Sequence, residues 1–198
     1  MAKRLFDLLA ASFALLLLAP WMVLIAFAIK LDSMGPVFFR QERVGRGGVP
    51  FRIHKFRTMR ADAGGEGRQL TVGADPRITR VGAFLRRSKL DELPQLIDVL
   101  AGSMSLVGPR PEVPRYVAHY PPALRAKLLS VRPGITDPTS IEYRDEGALL
   151  ARAADPEREY VEVVLPAKLR GAERYVDERS FAGDLRVIAR TVRAVWLG

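Results

Sequence analysis

The chain has 198 residues, enough for one domain of ordinary size and a short appendage. Lys and Arg total 31 against 22 Asp and Glu, a formal charge of +9, which implies an anionic partner: nucleic acid, a phospholipid surface or a phosphorylated substrate. The lack of cysteine excludes disulfides, thiolate metal sites and a thiol nucleophile, and two histidines, His54 and His119, argue against a histidine-based metal centre.

From Leu8 to Ile29 run 22 residues without a charge, with Lys3, Arg4 and Asp7 before them and Lys30 after. As one straight helix this segment is roughly 33 Å long, enough to cross a bilayer. Pro20 lies near its middle and predicts a break or kink, with each half about one leaflet deep. Three readings compete: a kinked single span, a cleaved signal peptide ending near Ala26-Phe27-Ala28, and a re-entrant hairpin. The apolar stretch exceeds the usual ~7–15 residues of a signal peptide. Basic residues flank both ends, so the positive-inside rule favours neither orientation of a span, and a hairpin with both ends cytoplasmic satisfies both flanks. Broken backbone at membrane depth must then find other hydrogen-bond partners.

Residues 36–59 read as a β-hairpin, with a strand from Pro36, a turn at Gly45-Arg46-Gly47-Gly48 and a return from Val49 to Phe56. Alternation on the return places Phe51, Ile53, Lys55 and Arg57 on one face. Residues 61–76 read as a mobile loop rich in Gly, Ala and charge. Helical spacing of Leu93, Leu96, Ile97 and Leu100 predicts a helix centred on Phe84 to Leu100, with Asp91 as an N-cap, Pro94 in the first turn and Gly102 as the end. Gly108-Pro109-Arg110-Pro111 follows as a loop. The last 18 residues predict a basic amphipathic helix with Phe181, Leu185, Ile188, Val192 and Val195 on one face and Arg186, Arg190 and Arg193 away from it. The fold class is α+β, a mixed α/β chain without internal repeats.

Three groups of residues could carry chemistry. Arg86, Arg87, Lys89, Asp91 and Glu92 form the densest charged cluster. Its adjacent carboxylates can act as nucleophile and metal ligand, or Asp91 can simply cap a helix among solvated cations. Lys55 and Arg57 on one strand face suit two phosphate oxygens, or solvent. Arg110 between two prolines is presented to a phosphate or base at low entropic cost, or sits in a structural turn.

Taken in order, five segments resemble the bacterial sugar transferase family, the small monotopic phosphoglycosyl transferases: Pro36-Val37-Phe38-Phe39-Arg40-Gln41, Lys55-Phe56-Arg57-Thr58-Met59, Leu90-Asp91-Glu92-Leu93-Pro94-Gln95-Leu96, Met104 through Glu112, and Arg132-Pro133-Gly134-Ile135-Thr136. The resemblance extends from the N-terminal segment to about Arg144. It implies a re-entrant membrane anchor over residues 1–34, broken at Pro20, and a catalytic phosphoglycosyl transferase domain over 35–198 with amphipathic membrane-surface helices. It also implies a Mg²⁺-dependent ping-pong transfer of a sugar-1-phosphate from a UDP-sugar to a polyprenyl (undecaprenyl) phosphate, with release of UMP. In that scheme Asp91 matches the nucleophile and Glu92 the Mg²⁺ ligand. Lys55, Arg86, Arg110 and Arg144 fall at family positions associated with phosphate or nucleotide contact, and Arg57, which shares the strand face of Lys55, is expected to bind substrate with them. The implied location is the cytoplasmic face of a bacterial inner membrane, in contact with the phospholipid bilayer. Homo-oligomerisation is left open. The implied form is minimal, without the extra N-terminal transmembrane region of larger relatives.

One departure is that Asp137-Pro138-Thr139-Ser140-Ile141 stands where many members have Gly-Leu-Trp-Gln-Val, so the sugar does not carry over. The alternatives are a membrane-tethered nucleic-acid-binding protein and an exported scaffold. With 8% aromatic residues and no helix-turn-helix or RNA-binding signature, no nucleic-acid partner is expected.

Overall fold

The computed structural model describes residues 2–60, 70–73, 75–143 and 145–197. Most of the loop expected at 61–76 (residues 61–69 and 74) lies outside this set. Ala2–Asp32 form one helix, α1, long and apolar enough by length and composition to cross a membrane. It continues through Pro20, so the division into two helices expected there is not seen. Proline removes a single backbone bond, and the flanking apolar turns retain theirs.

Contact with the rest of the chain is what divides α1. Asp7, Ala11 and Ile29 are buried, whereas Leu16 is 78% exposed and Trp21 63%. Near the N-terminus Arg4 donates to Val99 O at 2.8 Å, and Asp7 accepts from Ser105 Oγ at 2.8 Å and from Leu106 N at 3.3 Å. At the other end Arg57 donates to Ser33 O at 2.6 Å and Met34 O at 2.5 Å, and Asp32 accepts from Val81 N at 2.9 Å. Both ends are therefore tied to the same globular body.

The expected β-hairpin forms as two short antiparallel ladders. β1 (Phe38–Phe39) pairs with β4 (Lys55–Phe56), Phe39 opposite Lys55, and β2 (Glu42–Val44) pairs with β3 (Pro50–Arg52). Gly47 and Gly48 in the turn adopt φ of 70° and 79°, which the missing Cβ permits. Between β3 and β4 the ladder is interrupted, and the Asp98 carboxylate takes the His54 N–H at 2.8 Å. The interruption separates the four residues expected on one face. Phe51 and Ile53 pack with Ala11, Lys55 turns to the Asp91–Glu92 turn, and Arg57 turns to the end of α1.

The helix expected over Phe84 to Leu100 is two helices. α2 (Arg80–Arg87) is capped by Thr79, whose hydroxyl accepts from Gly82 N, and α3 (Gln95–Ala101) ends at Gly102 with φ 90°. Between them Lys89 adopts φ 56° and Leu90–Glu92 form a 3-10 turn. Asp91 is thus no N-cap. Leu93 before Pro94 keeps helical backbone (φ −52°, ψ −38°), so it is the left-handed Lys89 that separates the two helices just ahead of the two carboxylates.

β5 (Ser105–Val107) pairs in parallel with β6 (Gly134–Thr136). The two strands approach so closely that a Cβ on Gly134 would lie 2.1 Å from Gly108 N. The C-terminal part holds α4 (Pro114–Val117), α5 (Pro122–Leu128), α6 (Pro138–Glu142), α7 (Glu146–Leu150), α8 (Pro156–Glu159), a π turn (Tyr160–Val164) and α9 (Leu165–Glu178). Its core contains Tyr116, Tyr160, Val164 and Leu165.

α10 (Phe181–Leu197) docks by an unexpected face. Asp184 and Val187 are buried, while Phe181 is 47% and Val192 52% exposed, so much of the apolar face read from the sequence points outward. Polar partners decide this. Asp184 takes Lys3 Nζ at 2.6 Å and Tyr175 Oη at 2.8 Å, and Thr191 meets Thr136 at 2.8 Å.

Candidate active site

Burying two adjacent carboxylates is expensive unless cations accompany them. Asp91 is 2% exposed and Glu92 is largely enclosed. Lys55 Nζ, brought from β4, lies 2.9 Å from Asp91 Oδ2 and 3.1 Å from Glu92 Oε1. Arg110, in the loop after β5, grips Glu92 with both arms: Nη1 to Oε2 at 3.0 Å and Nη2 to Oε1 at 2.5 Å. Two anions thus face two cations. Burial alone would raise Glu92, but Arg110 and Lys55 outweigh it and hold the carboxyl well below its usual range. Arg110 is raised in turn, chiefly by the charge of Glu92.

The oxygens of Asp91 differ. Oδ2 is paired with Lys55, whereas Oδ1 is buried with no hydrogen-bond partner among the described residues. A buried acceptor left this way is rare and costly. It fits an atom that is reserved for an incoming electrophile or a cation. No group of three His, Cys, Asp or Glu is poised to hold a metal among the described residues. Two carboxylates fit Mg²⁺, which is commonly bound by one or two carboxylates plus substrate phosphates.

The structure brings together Lys55, Asp91, Glu92 and Arg110. Arg86 lies at the edge of the cluster. Its Nε donates to Thr58 Oγ1 at 2.9 Å, and burial lowers its pKa against the opposing pull of Asp91. Arg57 is elsewhere, holding the carbonyls at the end of α1. Arg144 lies outside the described residues, and Pro20 lies in the exposed middle of α1. Asp137 is buried and caps α6, accepting from Thr139 N at 2.7 Å and Ser140 N at 2.9 Å. Its charge also acts on Arg110.

In the sequence Lys89 stands only as one member of the charged cluster. Burial lowers its pKa, while Glu92 and Asp91 pull the other way, so its ammonium belongs to the same electrostatic field. Its left-handed backbone (φ 56°), uncommon for a residue with a long side chain, is visible only in the structure. Sequence reasoning also missed Arg43, Glu112 and Lys168. Arg43 donates to Pro111 O at 3.1 Å, and Lys168 lies 3.3 Å from Glu112, both beside Arg110 in the chain.

The chain is similar to several bacterial proteins named as undecaprenyl-phosphate sugar-phosphate transferases. The chain is 39% identical over 192 residues to the UDP-glucose:undecaprenyl-phosphate glucose-1-phosphate transferase of Caulobacter vibrioides, covering 96% of this chain and 68% of that one. It is 50% identical over 138 residues to the protein of the same name from Xanthomonas campestris, covering 68% of this chain and 28% of the relative. It is 36% identical over 198 residues to a UDP-N-acetylgalactosamine-undecaprenyl-phosphate N-acetylgalactosaminephosphotransferase of Aeromonas hydrophila, covering 99% and 44%. The chain thus spans less than a third of the Xanthomonas relative and under half of the Aeromonas one. A family model described as bacterial sugar transferase matches residues 1–198, and the chain belongs to that family.

Proposed function

We propose that this protein transfers a sugar-1-phosphate from a UDP-sugar to a polyprenyl phosphate at the cytoplasmic face of a bacterial inner membrane. The observation that carries the reading is the buried Asp91 with one oxygen paired to Lys55 and the other unpartnered among the described residues, beside a Glu92 clamped by Lys55 and Arg110. The names of the relatives support the donor and acceptor classes.

In this reaction an Asp91 oxygen attacks the β-phosphorus of the donor. A bond forms between that oxygen and phosphorus, and the bond from phosphorus to the bridging oxygen breaks. UMP departs with the bridging oxygen and its electron pair. An oxygen of the polyprenyl phosphate then attacks the same phosphorus, and Asp91 leaves as a carboxylate. Lys55, Arg86 and Arg110 hold phosphate oxygens and offset charge as UMP leaves. Glu92, with Asp91 or donor oxygens, would hold Mg²⁺, which supplies further neutralisation of diphosphate charge.

The anchor reading rests on α1 being fastened at both ends to one body while its middle is exposed. A helix passing straight through ~30 Å of hydrocarbon would leave one end on the far side. A re-entrant anchor keeps Lys3, Arg4 and Lys30 on the cytoplasmic side. The outward Phe181, Leu185 and Val192 of α10, with Phe181 edge-on to Phe6 at 5.2 Å, suit a helix lying in the bilayer surface.

The test incubates purified protein with a panel of UDP-sugars, beginning with UDP-glucose and UDP-N-acetylgalactosamine, with Mg²⁺ and undecaprenyl phosphate. UMP and a lipid-linked diphosphosugar are expected. Release of UMP by none of the donors would overturn the proposal.

A further inference from the structure

The loop that carries Arg110 is held from the C-terminal part of the chain, beyond the five ordered motifs. Glu112, two residues after Arg110, is buried and receives Tyr160 Oη at 2.6 Å on Oε1. Lys168 of α9 lies 3.3 Å from the same oxygen, 2.8 Å from Glu146 of α7 and 3.2 Å from Tyr160 Oη. On the other carboxylate oxygen stands Arg43 at 3.6 Å, and the same Arg43 nitrogen donates to Pro111 O at 3.1 Å. Val44 N donates to Glu112 O at 2.9 Å. The carbonyls of both residues after Arg110, and the side chain of the second, are thus tethered.

This network is an inefficient way to stabilise a fold. Buried ion pairs seldom outperform apolar packing of the same volume, because desolvation offsets the attraction. Here Arg43 Nε is also buried without a partner among the described residues, a further cost. What the network does provide is a main chain tethered at Pro111 and Glu112, directly beside Arg110. Pro109 and Pro111 remove backbone freedom on either side, so the guanidinium is aimed by fixed atoms.

We propose that Glu112 and Lys168 are positioning residues: their buried ion pair sets the place from which Arg110 grips Glu92. The inference rests on the function proposed above and assigns the C-terminal helices a part in it. Small displacements of a charged group at a reacting centre are costly, since electrostatic stabilisation depends on donors being preorganised.

The experiment is a double-mutant cycle on UMP release, with melting temperature measured alongside. Lys168→Met is made in the native protein and in Arg110→Ala. If Lys168 acts through Arg110, kcat/KM falls about tenfold in the first background and less than about twofold in the second. Lys168→Arg retains the charge and restores most of the rate. The charge-neutral pair Glu112→Gln with Lys168→Met guards against misfolding, and is expected to keep or raise the melting temperature while remaining slow. Equal losses in both backgrounds, or no loss in the native one, overturn the inference and leave the proposed function standing. A native protein that releases no UMP overturns the proposed function instead. The side-chain NMR signals of Arg110, identified by their loss in Arg110→Ala, then still read the geometry. They are expected to shift in Lys168→Met, and unchanged signals overturn the inference.

Discussion

At the scale of single residues, the site consists of two carboxylates whose surroundings differ. Asp91 retains an oxygen unpartnered among the described residues, whereas both oxygens of Glu92 are engaged. Asp91→Asn is therefore expected to abolish UMP release and leave the melting temperature close to native. Intact mass of the native protein incubated with donor alone is expected to show a phosphosugar adduct that the variant lacks. Normal turnover by Asp91→Asn would refute its role as nucleophile. Arg110→Ala removes the charge-assisted contact proposed to a donor phosphate oxygen, worth about 1.5–3 kcal/mol, or about 10- to 150-fold in kcat/KM for the donor. It also removes the largest influence that lowers Glu92 against burial. A depressed carboxyl is ionised above its folded pKa, so raising that pKa brings protonation in at a higher pH. The acid limb of the pH–rate profile is expected to move upward in Arg110→Ala, and an unmoved limb would mean that Glu92 is held low by something else.

At the scale of elements, Arg57 shows how adjacent positions on a strand take separate roles. Lys55 enters the site, while Arg57 closes the C-terminal end of α1, where carbonyls lack partners within the helix. Arg57→Met is expected to cost about 1–3 kcal/mol of stability, read from the denaturation midpoint. The KM for the UDP-sugar is expected to stay within about twofold of native. A large rise in KM with stability unchanged would return Arg57 to the substrate. Gly82 marks another junction between elements. A Cβ there would lie 2.0 Å from Thr58 O, so Gly82→Ala must push α2 away from the strand that delivers Lys55. Losses in both stability and rate are expected from that variant, the first on the order of 1–3 kcal/mol.

At the scale of the whole molecule, α1 and the globular body are one unit. Lys3, Arg4 and Asp7 fasten one end of the helix, and Asp32, Ser33 and Met34 the other. Both termini of α1 are therefore expected on the same side of the membrane. The cysteine-free chain permits a direct test with a single cysteine at Ala2 or Ser33. In intact cells a membrane-impermeant thiol reagent is expected to label neither position, and both after permeabilisation. Labelling of position 2 in intact cells would mean an ordinary single span.

The sequence alone determined the length and apolarity of the N-terminal helix, the hairpin between residues 36 and 59, and the adjacent carboxylates with their nearby cations. Each of these depends on spacing along the chain: uncharged run length, turn glycines, and charges within a few residues. The five ordered motifs pointed to the family because their order survives without knowledge of contacts. Tertiary structure alone decided which cations reach Asp91 and Glu92, since Lys55 and Arg110 lie 37 and 18 residues from Glu92. It also decided that Arg57 turns to α1 and that Asp91 sits in a 3-10 turn. The outward face of α10 was hidden for the same reason: a hydrophobic stripe predicts burial against something, and here Asp184 found partners in Lys3 and Tyr175, and Thr191 in Thr136, which turn Val187 inward with them. Periodicity records which residues share a face, but only long-range polar contacts settle which face turns inward.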